Sequence, residues 1–171
     1  MTQTPMLISP EYAALNAELH QRIPAYGTGG HKWADYVRKL CAQVEAGSIL
    51  DYGCGKQSLR DSLQDMDVRG YDPAIAGCEK RIYSDIVVCT DVLEHVEIEC
   101  MRDVVSDVIA HARKAVVLSI ACRESGKILA DGRQAHITVR SPDWWTGYLS
   151  PFGEFERIES PDDEFNAVLL K

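Results

Sequence analysis

Residues 48–59 read Ser-Ile-Leu-Asp-Tyr-Gly-Cys-Gly-Lys-Gln-Ser-Leu, a short apolar strand that runs directly into two closely spaced glycines. Gly53 and Gly55 remove Cβ atoms where the backbone must turn sharply and approach another group. Asp51 precedes the turn, and 21 residues beyond it Asp72 stands in Val-Arg-Gly-Tyr-Asp-Pro, at the end of the next strand-like run. A carboxylate in that position can take both hydroxyls of a ribose. Strand, acid, spaced glycines and strand-end acid fall in one order, which describes a nucleoside site in two pieces; a glycine pair alone would say little.

Two nucleoside cofactors compete for this pattern. The nicotinamide dinucleotide fingerprint is Gly-x-Gly-x-x-Gly, whose third glycine allows close helix packing. Here Ser58 holds the third place, and Asp51 stands before the turn. A carboxylate at that point repels a pyrophosphate, whereas it can sit near the ammonium of an amino-acid moiety. The pattern therefore favours S-adenosylmethionine over NAD.

From these residues onward the chain resembles the class I S-adenosylmethionine-dependent methyltransferases, and more narrowly the short methyltransferase-domain proteins of bacteriophages. The likeness runs through Tyr26-Gly27-Thr28-Gly29-Gly30, Asp51-Tyr52-Gly53-Cys54-Gly55-Lys56, Tyr71-Asp72-Pro73-Ala74-Ile75 and Asp91-Val92-Leu93-Glu94-His95-Val96. It continues in Asp131-Gly132-Arg133-Gln134-Ala135-His136 and Asp143-Trp144-Trp145, and covers residues 25–171. Gln57 departs from it, standing where the broader family usually has a third glycine. The resemblance implies a Rossmann-like, doubly wound, mostly parallel sheet in the order 3-2-1-4-5-7-6, closed by an antiparallel hairpin. It also implies S-adenosylmethionine as cofactor. Asp51, Gly53, Cys54, Gly55 and Gln57 would then meet its methionine and sulfonium end, Asp72 its ribose, Pro73 and Ala74 its adenine, and Thr90 and Asp91 the region of the transferring methyl. Tyr26, Gly29 and His31 would belong to an N-terminal lid over the methionine part.

The chain's 171 residues suit one domain, with residues 1–30 as an N-terminal helix and lid. No apolar run reaches the roughly 18 residues of a membrane span, and the opening Met-Thr-Gln-Thr-Pro lacks signal-peptide regions, so a cytoplasmic protein is expected, in the host cytoplasm if phage-encoded. Six cysteines are scattered without a Cys-x-x-Cys or a nearby histidine at zinc spacing, which points to free thiols and to no metal. A net charge of −8 is the wrong sign for sequence-independent grip on phosphates, so the expected acceptor is a small molecule or nucleotide, with a nucleic-acid polymer disfavoured.

Alternating signals set out the elements. Helices are expected over residues 11–21, 31–45, 56–66 and 97–114, and from Ser141-Pro142-Asp143, which is a good helix start. Strands are expected over 48–52, 68–71, from Asp85 to Thr90, over 115–121, 154–159 and 166–170, with a polar loop over 122–135. Only 12 residues separate Asp72 from Asp85, too few for a helix, a strand and their turns. The third strand of the family's order is therefore expected to be abbreviated or absent, and with it the acid that often binds the adenine amine. Tyr83 and Ser84 are candidates by position.

The chemistry should lie at the carboxyl ends of the strands. Methyl transfer asks the protein to position a nucleophile and, for a hydroxyl, to remove its proton. His95 is read either as that base, with Glu94 orienting it, or as a loop-fixing residue. His136 is either a base delivered by the preceding loop or a backbone-bonded strand residue. Asp91 is the third catalytic candidate. Arg133 either meets an anionic acceptor or is solvated, and Trp144 and Trp145 either pack a core edge or turn one ring toward an aromatic acceptor. A protein that binds cofactor or partner without turnover is the competing class, and a different reaction of the same cofactor is a third.

Overall fold

The computed structural model describes residues 5–171; the expectations that touch residues 1–4 lie outside it. Six strands form one sheet: β1 (Ile49–Tyr52), β2 (Val68–Tyr71), β3 (Ser84–Thr90), β4 (Ala112–Ala121), β5 (Glu156–Ile158) and β6 (Glu164–Leu170). Their order across the sheet is β2-β1-β3-β4-β6-β5. The first four run parallel, while β6 pairs antiparallel with both β4 and β5. This is the expected order without its first member. The stretch after Asp72 is a turn closed by the Asp72 N–H on the Cys78 carbonyl (2.8 Å), and β2 is left as the sheet edge.

Alternation along the strands divides the core in two. Val87, Cys89, Val116, Leu118 and Ile120 face α4 (Met101–His111) and α5 (Pro142–Leu149), which contribute Val104, Val105, Val108, Trp145 and Leu149. Ile86, Val88, Ala115 and Val117 face α2 (Ala34–Gln43) and α3 (Ser58–Ser62), which contribute Val37, Leu40, Cys41 and Leu59. A smaller cluster of Tyr12, Leu19, Leu129 and Ala135 seats α1 (Pro10–Arg22) on the loop after β4. Ser9 caps α1 by accepting the Tyr12 N–H, and its own N–H and hydroxyl donate to Glu97, each at 2.7 Å. Ser141 caps α5 in the same way with Pro142 in the first turn.

Several helices are shorter than their apolar periodicity. The expected helix 31–45 is divided into a 3₁₀ turn, Gly29–Trp33, and α2. The expected helix 56–66 is reduced to Ser58–Ser62, because Gln57 before it is left-handed (φ 59°) and Leu63 turns back on the Arg60 carbonyl. The expected helix 97–114 retains only α4: residues 97–100 form a turn, and Ala112, extended (ψ 135°), begins β4 three residues early by pairing with Ser84. Tertiary hydrogen bonding outweighs local periodicity there, with the Lys114 ammonium donating to the carbonyls of Val44 (3.1 Å) and Glu45 (2.5 Å).

Candidate active site

A cavity of about 420 Å³ opens at the carboxyl ends of β1, β3 and β4, between the segment 25–32 and the loop 123–127. Its floor is the turn after β1. The N–H groups of Gly53 and Cys54 both donate to the Tyr71 carbonyl, at 2.7 and 3.0 Å, which hooks the turn onto the end of β2. Gly53 (φ 79°) and Gly55 (φ 48°) are left-handed. A Cβ on Gly53 would collide with Val92, and one on Gly55 would lie 2.6 Å from the Gly27 carbonyl oxygen. The Lys56 N–H donates to that same oxygen at 2.8 Å. Both glycines are thus required by the close packing of three segments.

The Asp72 carboxylate is held at both oxygens, accepting the Gly55 N–H (3.1 Å) and the Ala74 N–H (2.9 Å). Each oxygen keeps a further lone pair. Asp51 is buried on β1, and its carboxyl is pushed up to about 7, first by burial and then by the charge of Asp72. Asp91 follows β3 in a left-handed conformation (φ 55°), its N–H fixed on the Ser119 carbonyl at 2.9 Å. Its carboxylate fills the place a Cβ on Gly29 would need, 2.6 Å away. Although Asp91 opens onto solvent through the cavity, desolvation raises its carboxyl above the usual range, with Lys32 opposing.

At the other end of the cavity His95 presents Nδ1 to the Ala135 carbonyl (2.8 Å) and to the Tyr26 hydroxyl (3.3 Å). The ring is pushed down to about 3, by burial and then by neighbouring His136, so it is neutral. His136 presents Nδ1 to the Arg123 carbonyl (2.7 Å), its basicity also lowered by burial, and the two rings meet edge to face at 4.7 Å. Beneath them Glu94 is fully buried and raised to about 8, by burial and then by Asp91. Its Oε1 accepts the Ala121 N–H at 3.1 Å.

Tyr26, Gly29, Asp51, Gly53, Cys54, Gly55, Asp72, Pro73, Ala74, Thr90, Asp91, His95 and His136 all line this one cavity, as does His31. Gln57 does not; its side-chain oxygen accepts from Arg60 on the outer face. Arg133 is likewise outside, paired with Asp131 at 2.6 Å. Tyr83 and Ser84 lie at the amino end of β3, the wrong end for the cavity; Tyr83 stacks on His111 and Ser84 is sealed in the core. Trp145 is fully buried, and Trp144 stacks on Tyr148, away from the cavity.

Sequence reasoning missed Asn16 and His20, which α1 brings to the wall, and three basic groups, Lys32, Arg123 and Lys127. Arg123 stands two residues past the end of β4, so the strand-end rule could have found it. Asn16 and His20 carry no such signal, since the path of α1 over the cavity depends on Ser9 and Glu97.

No family model and no curated protein matches the sequence. Solved structures do. DhpI in complex with SAH superposes with a TM-score of 0.64 at 17% identity, covering 92% of this chain and 96% of that one. An S-adenosylmethionine-dependent methyltransferase from Clostridium acetobutylicum gives 0.60 at 10% identity, over 91% and 97%. The 1,6-didemethyltoxoflavin-N1-methyltransferase of Burkholderia thailandensis, bound to its namesake and S-adenosylhomocysteine, gives 0.59 at 12% identity, over 99% and 93%. The chain therefore has the Rossmann-like methyltransferase fold, without the strand beyond β2.

Proposed function

We propose that the protein is an S-adenosylmethionine-dependent methyltransferase acting on a small-molecule or nucleotide acceptor. The observation that carries this reading is the gathering of the glycine turn, Asp51 and the doubly anchored Asp72 on one wall of a single cavity. The residues present fit the cofactor. The free lone pairs of Asp72 suit two vicinal hydroxyls, and a buried carboxyl at Asp51 on the same wall suits a cationic amino-acid end. The volume is within the roughly 300–1,000 Å³ of small-ligand sites. Two neighbours of the same fold hold S-adenosylhomocysteine, and a third is an S-adenosylmethionine-dependent methyltransferase.

When bound, the cofactor supplies an activated methyl group, so the chain's work is to hold, orient and keep dry. Asp72 fixes the ribose and Pro73 and Ala74 flank the base. Tyr26 and Gly29 roof the methionine end and exclude water, with Thr90 and Asp91 closing its inner side. His136 offers an Nε2 at the acceptor end that can accept the acceptor's proton, while His95, pushed down to about 3, is too weak a base for that step and presents a neutral ring. A chain of net charge −8 favours a small acceptor over a nucleic-acid polymer.

The narrower likeness to bacteriophage proteins rests on the sequence motifs alone, and a cytoplasmic location on the sequence lacking an apolar run of membrane-span length and signal-peptide regions; no helix among the described residues is long and apolar enough to cross a membrane. A second reading, binding without turnover, finds its support in Gln57 at the family's third-glycine position and in the shortened stretch between Asp72 and Asp85, which leaves the sheet ending at β2. Mass spectrometry of the protein as purified separates these. Bound S-adenosylhomocysteine argues for turnover, bound S-adenosylmethionine alone favours the second reading, and failure to bind either when added contradicts both.

A further inference from the structure

We propose that Glu94, His95 and His136 form a site for one divalent first-row transition-metal ion at the acceptor end of the cavity. One ligand atom from each of the three residues lies within 4.8 Å of the others. Such ions bond nitrogen and oxygen at about 2.0–2.2 Å, so two ligand atoms on one ion stand at most about 4.4 Å apart and the three groups draw together on binding.

The orientation of each group agrees. In both rings Nδ1 faces a backbone carbonyl, of Ala135 for His95 (2.8 Å) and of Arg123 for His136 (2.7 Å). Nδ1–H therefore donates and Nε2 carries the lone pair, the arrangement that outer hydrogen bonds impose on metal-binding histidines. Neither Nε2 has a hydrogen-bond partner among the described residues. Glu94 is 0% exposed, and while Oε1 accepts the Ala121 N–H, Oε2 is buried with no partner. An orphaned buried carboxylate oxygen is costly, and a cation beside it removes the cost.

The frame is also fixed. Thr138 ties the His136 loop to the segment after β3, its N–H donating to the Glu94 carbonyl (2.9 Å) and its hydroxyl to the Val96 carbonyl (2.7 Å). Ligands some 40 residues apart in sequence are thereby held in register, a separation that short Cys and His spacings do not signal and that accounts for the expectation of no metal. Two imidazoles and one carboxylate suit manganese, iron, cobalt, nickel or zinc better than magnesium or calcium, which prefer oxygen. Both histidines line the cavity, so the remaining coordination positions face an incoming acceptor. Ion binding stands on these residues alone. Its use, to hold and acidify an acceptor hydroxyl, rests on the methyltransferase reading and would replace the general-base role of His136.

The test uses chelator-treated protein freed of any histidine tag, titrated with Mn²⁺ by electron paramagnetic resonance and with Co²⁺ by visible absorption. The wild type should bind one ion. Glu94→Gln, which keeps the Ala121 hydrogen bond, and His136→Gln, on a half-exposed loop, should each weaken binding by about 100-fold or more, at or beyond the loss seen when an outer partner is removed. No stoichiometric binding to the wild type, or unchanged affinity in a folded His136→Gln, would overturn the site. S-adenosylhomocysteine titrated into the same metal-free wild type keeps the readings apart: its binding without any metal site sinks only this inference, and a metal site without its binding sinks only the cofactor.

Discussion

Asp72 does two jobs with one carboxylate: it ties the glycine turn through Gly55 and its own turn through Ala74, and it keeps a lone pair on each oxygen for a ligand. Asp72→Ala should therefore weaken S-adenosylhomocysteine binding by roughly 10- to 150-fold, the equivalent of about 1.5–3 kcal/mol for a charge-assisted pair. Calorimetric titration with unchanged affinity would take Asp72 out of the site. Asp51 gives a pH signature instead. Its folded value of about 7 lies above the roughly 3.9 of an unfolded aspartate, so between those values the folded state holds a proton that the unfolded chain has released. Stability then falls as pH rises through that window, by on the order of a few kcal/mol at most. Asp51→Asn cannot ionise, so without ligand its melting temperature should gain on the wild type between pH 5 and pH 7.5. Parallel melting curves across that range would show that Asp51 ionises normally.

Among the elements, the segment from α1 to Gly30 and the loop 123–127 form two walls of the cavity. Ser9 on Glu97, the Lys56 N–H on the Gly27 carbonyl, the Lys56 ammonium on the His20 carbonyl (2.7 Å) and the Ser58 hydroxyl on the Thr28 carbonyl (2.8 Å) are among the ties of the first. Ligand binding should slow amide hydrogen exchange in residues 25–32 and 123–127 more than in α4 or α5, because those segments line the cavity while the helices pack against the sheet. Equal protection everywhere would mean that the walls do not engage it. The glycine turn, the strand-end acids and the strands themselves were legible in the sequence because each depends on local pattern: apolar runs, spaced glycines, an acid at a fixed remove. Helix ends were not. Residues 112–114 carry a helical-looking pattern yet pair with Ser84 and reach back to Val44 and Glu45, contacts that no window of sequence contains. The same holds for Gln57, which the family position placed at the ligand and the left-handed backbone turns toward Arg60.

For the whole molecule, the short interval between Asp72 and Asp85 set the topology in advance: too little chain for a strand and its helix, and a sheet that ends at β2. The convergence of Glu94, His95 and His136 was beyond the sequence, since it depends on how the loop after β4 folds back across the end of β3. What the fold and cavity claim together is a linkage between one cofactor and the stability of the entire domain. S-adenosylhomocysteine at about 100 times its dissociation constant should stabilise the protein by about 2.7 kcal/mol, and so raise the melting temperature of a chain of this size by roughly 5–10 °C. The direct measurement is thermal unfolding with matched concentrations of S-adenosylhomocysteine and NAD. A shift with the first and none with the second is the predicted result; a shift with NAD alone would contradict it.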